Sequence, residues 1–180
     1  MVTSGVISNS HNKKTEIINL AGQTTCDDFE DFPIEVNGAV GGEIQGIPVV
    51  CGGYLGNINE ISFSNKCYHF FRGSWQSTTK MKEERGWASS IVHNNKMHIM
   101  GGRNKSGRLA SSEILNGNRS VEGPNLPEKM YRHAITNVNG TTSILSGGDT
   151  FAASYSNRTW YYDHERQSFT PGPPLKQARG

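Results

Sequence analysis

Three pairs of adjacent glycines punctuate this chain at a nearly constant interval: Gly52-Gly53, Gly101-Gly102 and Gly147-Gly148, 49 and 46 residues apart. Ser4-Gly5, 48 residues before the first pair, looks like a degraded further copy. A self-similar period of this length belongs to repeat architectures, propellers or solenoids, in which one supersecondary unit recurs and cannot bury its apolar face alone. The rhythm replaces the search for one catalytic domain by the question of what each repeat builds.

The residues around each pair predict four short strands. A β-type run precedes the glycines at 47–51, 96–100 and 142–146. Upstream lies a second run of small and β-branched residues, at 38–42, 88–92 and 134–138. Asn94-Asn95 and Asn139-Gly140 separate the two runs in the second and third copies. These residues tolerate the positive φ that a tight hairpin requires. After the glycines a loop leads to a third strand, rich in aromatics at 67–71 and 159–163 and without them at 112–115. A fourth follows at 74–77, 119–121 and 167–170. Each copy closes on an apolar residue and then an arginine: Met81 and Arg85, Leu126 and Arg132, Leu175 and Arg179. Four strands in about 45 residues describe a propeller blade.

With these residues aligned, the chain resembles the Kelch-repeat family. That signature is a double glycine after the second strand, an aromatic on the third and a tryptophan about seven residues later. The copy with Gly52, Gly53, Tyr68, Trp75, Met81 and Arg85 matches throughout; the third, with Trp160, Tyr161 and Pro171-Gly-Pro-Pro-Leu175, matches well. The middle copy keeps Gly101, Gly102 and Arg132 but lacks the third-strand aromatic and the tryptophan. The resemblance spans essentially the whole chain. It implies an all-β fold, an incomplete Kelch-type β-propeller of about three and a half four-stranded antiparallel blades. Residues 1–33 would be a half blade with strands at 14–20 and 24–29. Residues 34–84, 85–129 and 130–180 would be whole blades. In wedged blades the glycines let backbones pass where a Cβ would clash. Tyr68, Trp75, Trp160, Tyr161 and Phe169 are expected to fill the gaps between blades. An arc leaves an apolar face at each end. The remaining blades are expected from a longer chain, or from a second copy of this one.

Composition narrows the function classes. The chain is 34% hydrophobic with 21 glycines, as in turn-rich β structure. No run approaches the roughly 18 apolar residues of a membrane helix, and Met1-Val-Thr-Ser-Gly5 does not open a signal peptide. At a net charge of +2, Lys80, Lys82 and Arg85 are offset by Glu83 and Glu84, too little basic density for a nucleic-acid stripe. Asp27–Asp31 reads as a solvated acidic loop. No C-x-x-C occurs and the six histidines show no ligand spacing, so neither a metal nor a cofactor is expected. Cys51 and Cys67 fall on neighbouring antiparallel strands and are a candidate disulfide, leaving Cys26 over. With four Asn-x-Ser/Thr sequons (Asn104, Asn118, Asn139, Asn157), this favours an extracellular protein slightly over a cytoplasmic one.

The resemblance implies a non-enzymatic module that binds a protein or peptide partner through loops at one end of the blades. The loops after the double glycines offer Tyr54, Arg103, Arg108, Phe151 and Tyr155; the segments leading into each blade offer Arg85, Trp87, Arg132 and His133. Arg85 and Arg132 are expected at matching positions, with Arg179 opening another. In Kelch relatives such arginines hold acidic motifs, and a guanidinium grips a carboxylate bidentately. An alternative has these arginines capping blade edges by bonding backbone carbonyls. Two further roles are implied by relatives: the substrate receptor of a ubiquitin-ligase adaptor or an actin binder, and, less favoured, an enzyme of the galactose-oxidase or sugar-epimerase type. The last finds little support, because adjacent Cys67 and Tyr68 point to opposite faces of a strand.

Overall fold

The protein is described from a computed structural model that covers residues 2–7, 10–17, 27–56, 61–117, 119–150 and 154–180. All regular structure among these residues is strand, in antiparallel pairs. Strands β1 (Val2–Ile7), β2 (Ser10–Ile17) and β3 (Asp27–Phe29) form an N-terminal three-stranded sheet. The sequence placed two strands here, at 14–20 and 24–29; the second strand of this sheet instead starts four residues earlier, and residues 18–26, with Cys26, lie outside the described ones.

Three four-stranded sheets follow. The first is β4 (Val40–Ile44), β5 (Ile47–Cys51), β6 (Cys67–Phe71) and β7 (Ser74–Ser77). The second begins with β8 (Ser89–His93) and β9 (Lys96–Met100), passes through a small ribbon of β10 (Arg103–Asn104) and β11 (Gly107–Arg108), and ends with β12 (Ser112–Asn116) and β13 (Arg119–Glu122). The third is led in by β14 (Met130–Tyr131) and contains β15 (Ala134–Asn137) and β16 (Thr142–Ser146). It continues through β17 (Asp149–Thr150), which pairs with β14, to β18 (Thr159–Asp163) and β19 (Ser168–Pro171). Each sheet is a meander in chain order, and consecutive sheets meet along their first strands, β4 beside β8 and β8 beside β15. The architecture is all-β and consistent with a β-propeller-like fold.

Two-residue turns close three hairpins: Gln45-Gly46, Arg72-Gly73 and Asn94-Asn95, each with both residues at positive φ. Asn139-Gly140 behaves differently. Pairing of β15 with β16 stops at Asn137 opposite Ser143, and the longer loop is tied by the Asn139 Oδ1, which accepts from the Thr141 and Thr142 N–H groups at 2.9 Å.

The double glycines have a steric cause. The first of each pair, Gly52, Gly101 and Gly147, has φ between 59° and 72°, and a methyl on it would lie 2.5, 2.8 and 2.6 Å from the carbonyl oxygens of Arg85, Met130 and Arg179. The same carbonyls accept the N–H of Gly53, Gly102 and Gly148 at 2.8–2.9 Å. Each sheet is thus locked to the segment that leads into the next. This pattern also corrects the alignment read from sequence. Arg85 corresponds to Met130 and Arg179, whereas Arg132 corresponds to Trp87 and Gly38. The Trp87 N–H donates to the Gly38 carbonyl and the Arg132 N–H to the Trp87 carbonyl, both at 2.8 Å.

The core lies between sheets. One cluster joins Phe32 and Val36 to Val50, Tyr68 and Trp75. The next runs from Val40, Val49 and the Cys51–Cys67 disulfide to Met81, Met97, Ile99 and Leu115. A third gathers Met100, Leu126, Met130, Leu145 and Tyr162, with Trp160 and Phe169 packed on it. Tyr68 and Trp75 are buried as expected. In the third sheet the fully buried aromatic is Tyr162, not Trp160 or Tyr161, which are half-buried. Strand alternation turns Tyr161 to the opposite face, whereas Trp160 shares the face of Tyr162 and packs, partly exposed, against the same cluster. The Cα atoms of Cys51 and Cys67 are 4.1 Å apart on directly paired strands, slightly closer than most disulfide pairs.

Candidate functional site

The loops after the double glycines and the segments leading into the sheets do meet. Tyr54 pairs with Asn37, Arg103 with Gly86, β17 with β14, and Ser156 with Arg179. Side chains from both therefore share one end of the sheets. Trp87 and Arg132 stand here at φ 51° and 58°, a left-handed conformation that costs a bulky residue strain unless its surroundings impose it. Gly38, at φ 65°, holds the same place one sheet earlier. It leaves room for the next residue of the series, because a methyl on Gly38 would run into the Trp87 indole.

From this staircase an aromatic and cationic surface is built. Tyr54 stacks on Trp87 with ring centroids 5.2 Å apart and an interplanar angle of 27°, and Phe63 closes on both at 5.5 and 5.8 Å. Tyr54, Ile61, Phe63, Trp87 and Arg103 line a pocket of about 180 Å³. The Arg132 guanidinium lies 5.5 Å from the Trp87 ring centre and 5.3 Å from that of Tyr131. Arg103 and Arg108 approach the Tyr131 ring at 5.9 and 5.6 Å, within the range where a cation is held by the ring quadrupole. Arg108 is anchored by Asp149, 2.8 Å from its Nε, and the Tyr131 hydroxyl donates to the same carboxylate at 2.8 Å. Arg103 and Arg132 form no ion pair among the described residues.

Of the residues selected from sequence, Tyr54, Trp87, Arg103, Arg108 and Arg132 come together on this surface. Tyr155 is exposed at the double-glycine end of the third sheet, and Phe151 lies outside the described residues. His133 is not on the surface. It is buried between Gly101 and Gly148, and burial holds its pKa down to about 4, the Met100 backbone opposing. Arg85 is also withdrawn: it is 1% exposed. Its guanidinium donates to the Gly101 carbonyl at 2.7 Å, the Ser111 carbonyl at 3.0 Å, and the Glu113 carboxylate at 3.0 Å. The bonds to backbone carbonyls are those of the edge-capping alternative. Sequence reading missed Ile61, Phe63 and Tyr131, and placed Asp149 only within a binding loop. Tyr131, directly before Arg132, could have been found once the register was known; Phe63 comes from an irregular loop with no periodic signal.

Glu113 is 2% exposed and is bonded at both oxygens. Oε2 accepts from the Lys82 N–H at 2.6 Å and the Ser120 hydroxyl at 2.5 Å, and Oε1 from the Glu83 N–H at 3.0 Å as well as from Arg85. Burial raises its pKa, but these four donors outweigh burial and the net shift is downward.

A second polar cluster stands at the opposite, hairpin end. His93 stacks on His164 at 4.1 Å, and His98 meets His164 edge-on at 5.4 Å. His98 Nδ1 is 3.1 Å from the Tyr162 hydroxyl and His164 Nε2 is 2.7 Å from the Ser143 hydroxyl. Burial, followed by repulsion within the cluster, pushes His98 and His164 down to about 4. Among the described residues no group of three or more His, Cys, Asp or Glu side chains is arranged to hold a metal ion. The Cys67 sulfur is bonded to Cys51 and so is not available for a cross-link to tyrosine. Among the same residues no helix is long and apolar enough to cross a membrane.

No family model and no curated protein matches the sequence. Among solved structures, the fold is similar to that described as "Structure of YjhT", with a TM-score of 0.80 at 13% identity over 97% of this chain. The chain spans 65% of the length of that neighbour. At this identity the likeness concerns fold alone.

Proposed function

We propose that this chain is an arc of a Kelch-type β-propeller, about three and a half blades, and a non-enzymatic binding module. Its double-glycine end takes an acidic protein or peptide segment. The observation that carries the reading is the pair Trp87 and Arg132. Two bulky residues are held in a strained backbone conformation at equivalent places, each laid over its predecessor, beside an apolar pocket. Strain of this kind persists where the surroundings over-determine it, and aromatic and arginine anchors dominate interfaces. Among the described residues Arg103 and Arg132 present guanidiniums without a carboxylate, whereas Arg85, Arg108, Arg158 and Arg166 each pair with one within the chain. The disulfide favours an oxidising compartment over the cytosolic adaptor role.

The test separates binding from folding. Peptides selected from a displayed library on the intact chain should be enriched in Asp and Glu. Arg103→Ala with Arg132→Ala should weaken the best of them at least about tenfold, the loss of one strong anchor, with the melting temperature nearly unchanged. Selected peptides without acidic enrichment, or ones indifferent to both substitutions, would defeat the proposal.

A further inference from the structure

The sequons are not equivalent once folded. Asn118 is outside the described residues; the other three differ in what holds the amide nitrogen. Asn104 is 8% exposed, its Nδ2 donates to Glu83 Oε1 at 3.0 Å and its Oδ1 accepts from the Ser106 N–H at 2.8 Å. It belongs to the polar group around Arg85, and an added sugar would have to displace that packing. Asn139 and Asn157 are exposed. Among the described residues the Asn139 Oδ1 takes up the N–H groups of Thr141 and Thr142 and the Thr141 hydroxyl, and its Nδ2 makes no hydrogen bond. The Asn157 side chain makes none with the described residues either. Both are followed at the second position by threonine, Thr141 and Thr159.

A separate observation points to the compartment in which such residues are modified. Cys51 and Cys67 are joined, and structural disulfides form where the surroundings are oxidising, as in the secretory pathway. A surface sequon in such a protein is an acceptor for N-linked glycan.

We propose that Asn139 and Asn157 are N-glycosylation sites and that Asn104 is not. The donor is an oligosaccharide carried on a lipid diphosphate. The asparagine Nδ2 attacks the anomeric carbon, a C–N bond forms and the C–O bond to the diphosphate breaks. The lipid diphosphate leaves with the electron pair, and Nδ2 gives up one proton. Asn139 is on the β15–β16 turn, at the end of its sheet away from Gly147-Gly148. A glycan there covers the hairpin end and leaves the aromatic–arginine surface open.

The chain is directed into the secretory pathway of animal cells carrying Asn118→Gln, so that only the three described sequons report. Enzymatic removal of N-glycans converts each modified asparagine to aspartate, which peptide mass spectrometry locates. The expected result is conversion at 139 and 157 and none at 104, in secreted and retained protein alike. Asn139→Gln and Asn157→Gln should each remove one gel-mobility step. Thr141→Ala should remove the same step as Asn139→Gln with Asn139 in place, and Thr141→Ser should restore it. Conversion at 104 in soluble, protease-resistant protein, or an unmodified residue at either 139 or 157, would overturn the assignment.

Discussion

Between the N-terminal sheet and the first four-stranded sheet, Phe32 stands edge-on to Tyr68 and Trp75, with centroids 5.2 and 4.8 Å away. One junction further on, strand register puts Glu113 in the place of Tyr68 and Ser120 in the place of Trp75. Arg85 there replaces Val36. The aromatic junction excludes water by filling space. The second adds an ionic set beside the apolar cluster of Met81, Met97, Ile99 and Leu115, and its smaller side chains leave a groove of about 340 Å³ lined by Lys82, Glu83, Arg85, Glu113 and their neighbours. The third junction returns to aromatics with Trp160, Tyr162 and Phe169. The comparison teaches that the middle copy, weakest in the repeat signature, places a matched set of charged and polar side chains where its neighbours place aromatics. A carboxylate in an aromatic slot would cost several kcal/mol unless its partners arrived with it, and Arg85 and Ser120 are those partners.

The largest expected effect follows from breaking that set. Arg85→Met, which installs the residue found at Met130, should lose about 3–5 kcal/mol in chemical denaturation, because Glu113 is left buried without its cation. Adding Glu113→Tyr and Ser120→Trp should restore stability to the starting value or above it by about 1–4 kcal/mol, since a packed apolar set commonly matches or exceeds a buried ion pair. A triple variant no better than Arg85→Met would mean that the two junctions differ in backbone geometry as well as in side chains.

Next in size is a difference in pH response. Glu113 has a lowered pKa when folded, so its contribution is present above the unfolded carboxylate range and is lost as pH falls through the folded value. His98 and His164 are held neutral with folded values of about 4 against 6.5 unfolded, so their contribution is intact above about 6.5 and fades towards 4. Both act in the same direction and both lie on the second and third sheets. At the aromatic junction burial raises Tyr68, whose contribution is intact below the ordinary tyrosine value near 10 and falls above it. Burial raises Tyr162 on β18 as well, to about 12, so alkali weakens both regions, and hydrogen exchange resolved by segment should show strands β9, β12 and β18 opening before β6 and β7 in acid, with no such order in alkali. The reverse order would contradict the assignment of charge to one junction and packing to the other.

The smallest effect concerns a side-chain tie in the aromatic junction, where the Trp75 backbone N–H also donates to Glu30 Oε2 at 2.8 Å. Trp75 Nε1 donates to the Thr15 hydroxyl at 3.0 Å. Trp75→Phe keeps a ring in the gap and should cost about 1–2 kcal/mol in the same denaturation experiment, well below Arg85→Met. Equal costs would erase the distinction drawn here.

How much of this was legible beforehand differs by level. Strand positions around Gly52, Gly101 and Gly147 were readable within a residue or two, because alternation and turn chemistry are local. The pairing of Cys51 with Cys67 was readable for the same reason, as a consequence of neighbouring strands. The equivalence of Arg85 with Arg132 was misread by two residues. Both are arginines near a blade boundary, and only the carbonyl that meets each glycine pair reveals which backbone positions correspond. His133 was chosen as a surface residue because it follows Arg132, but the left-handed turn at Arg132 sends the next side chain inward.

The period, the strands and the need for glycine at the crossing points were determined by the sequence alone, since steric exclusion and strand alternation act over a few residues of chain. Which arginine is exposed and which is buried was decided by tertiary structure. A guanidinium has no intrinsic preference between solvent and a carboxylate. Arg85 is withdrawn because a strand 28 residues later carries Glu113 to within 3.0 Å, and Arg132 stays outside because Trp87 and Tyr131 provide a ring face and no charge.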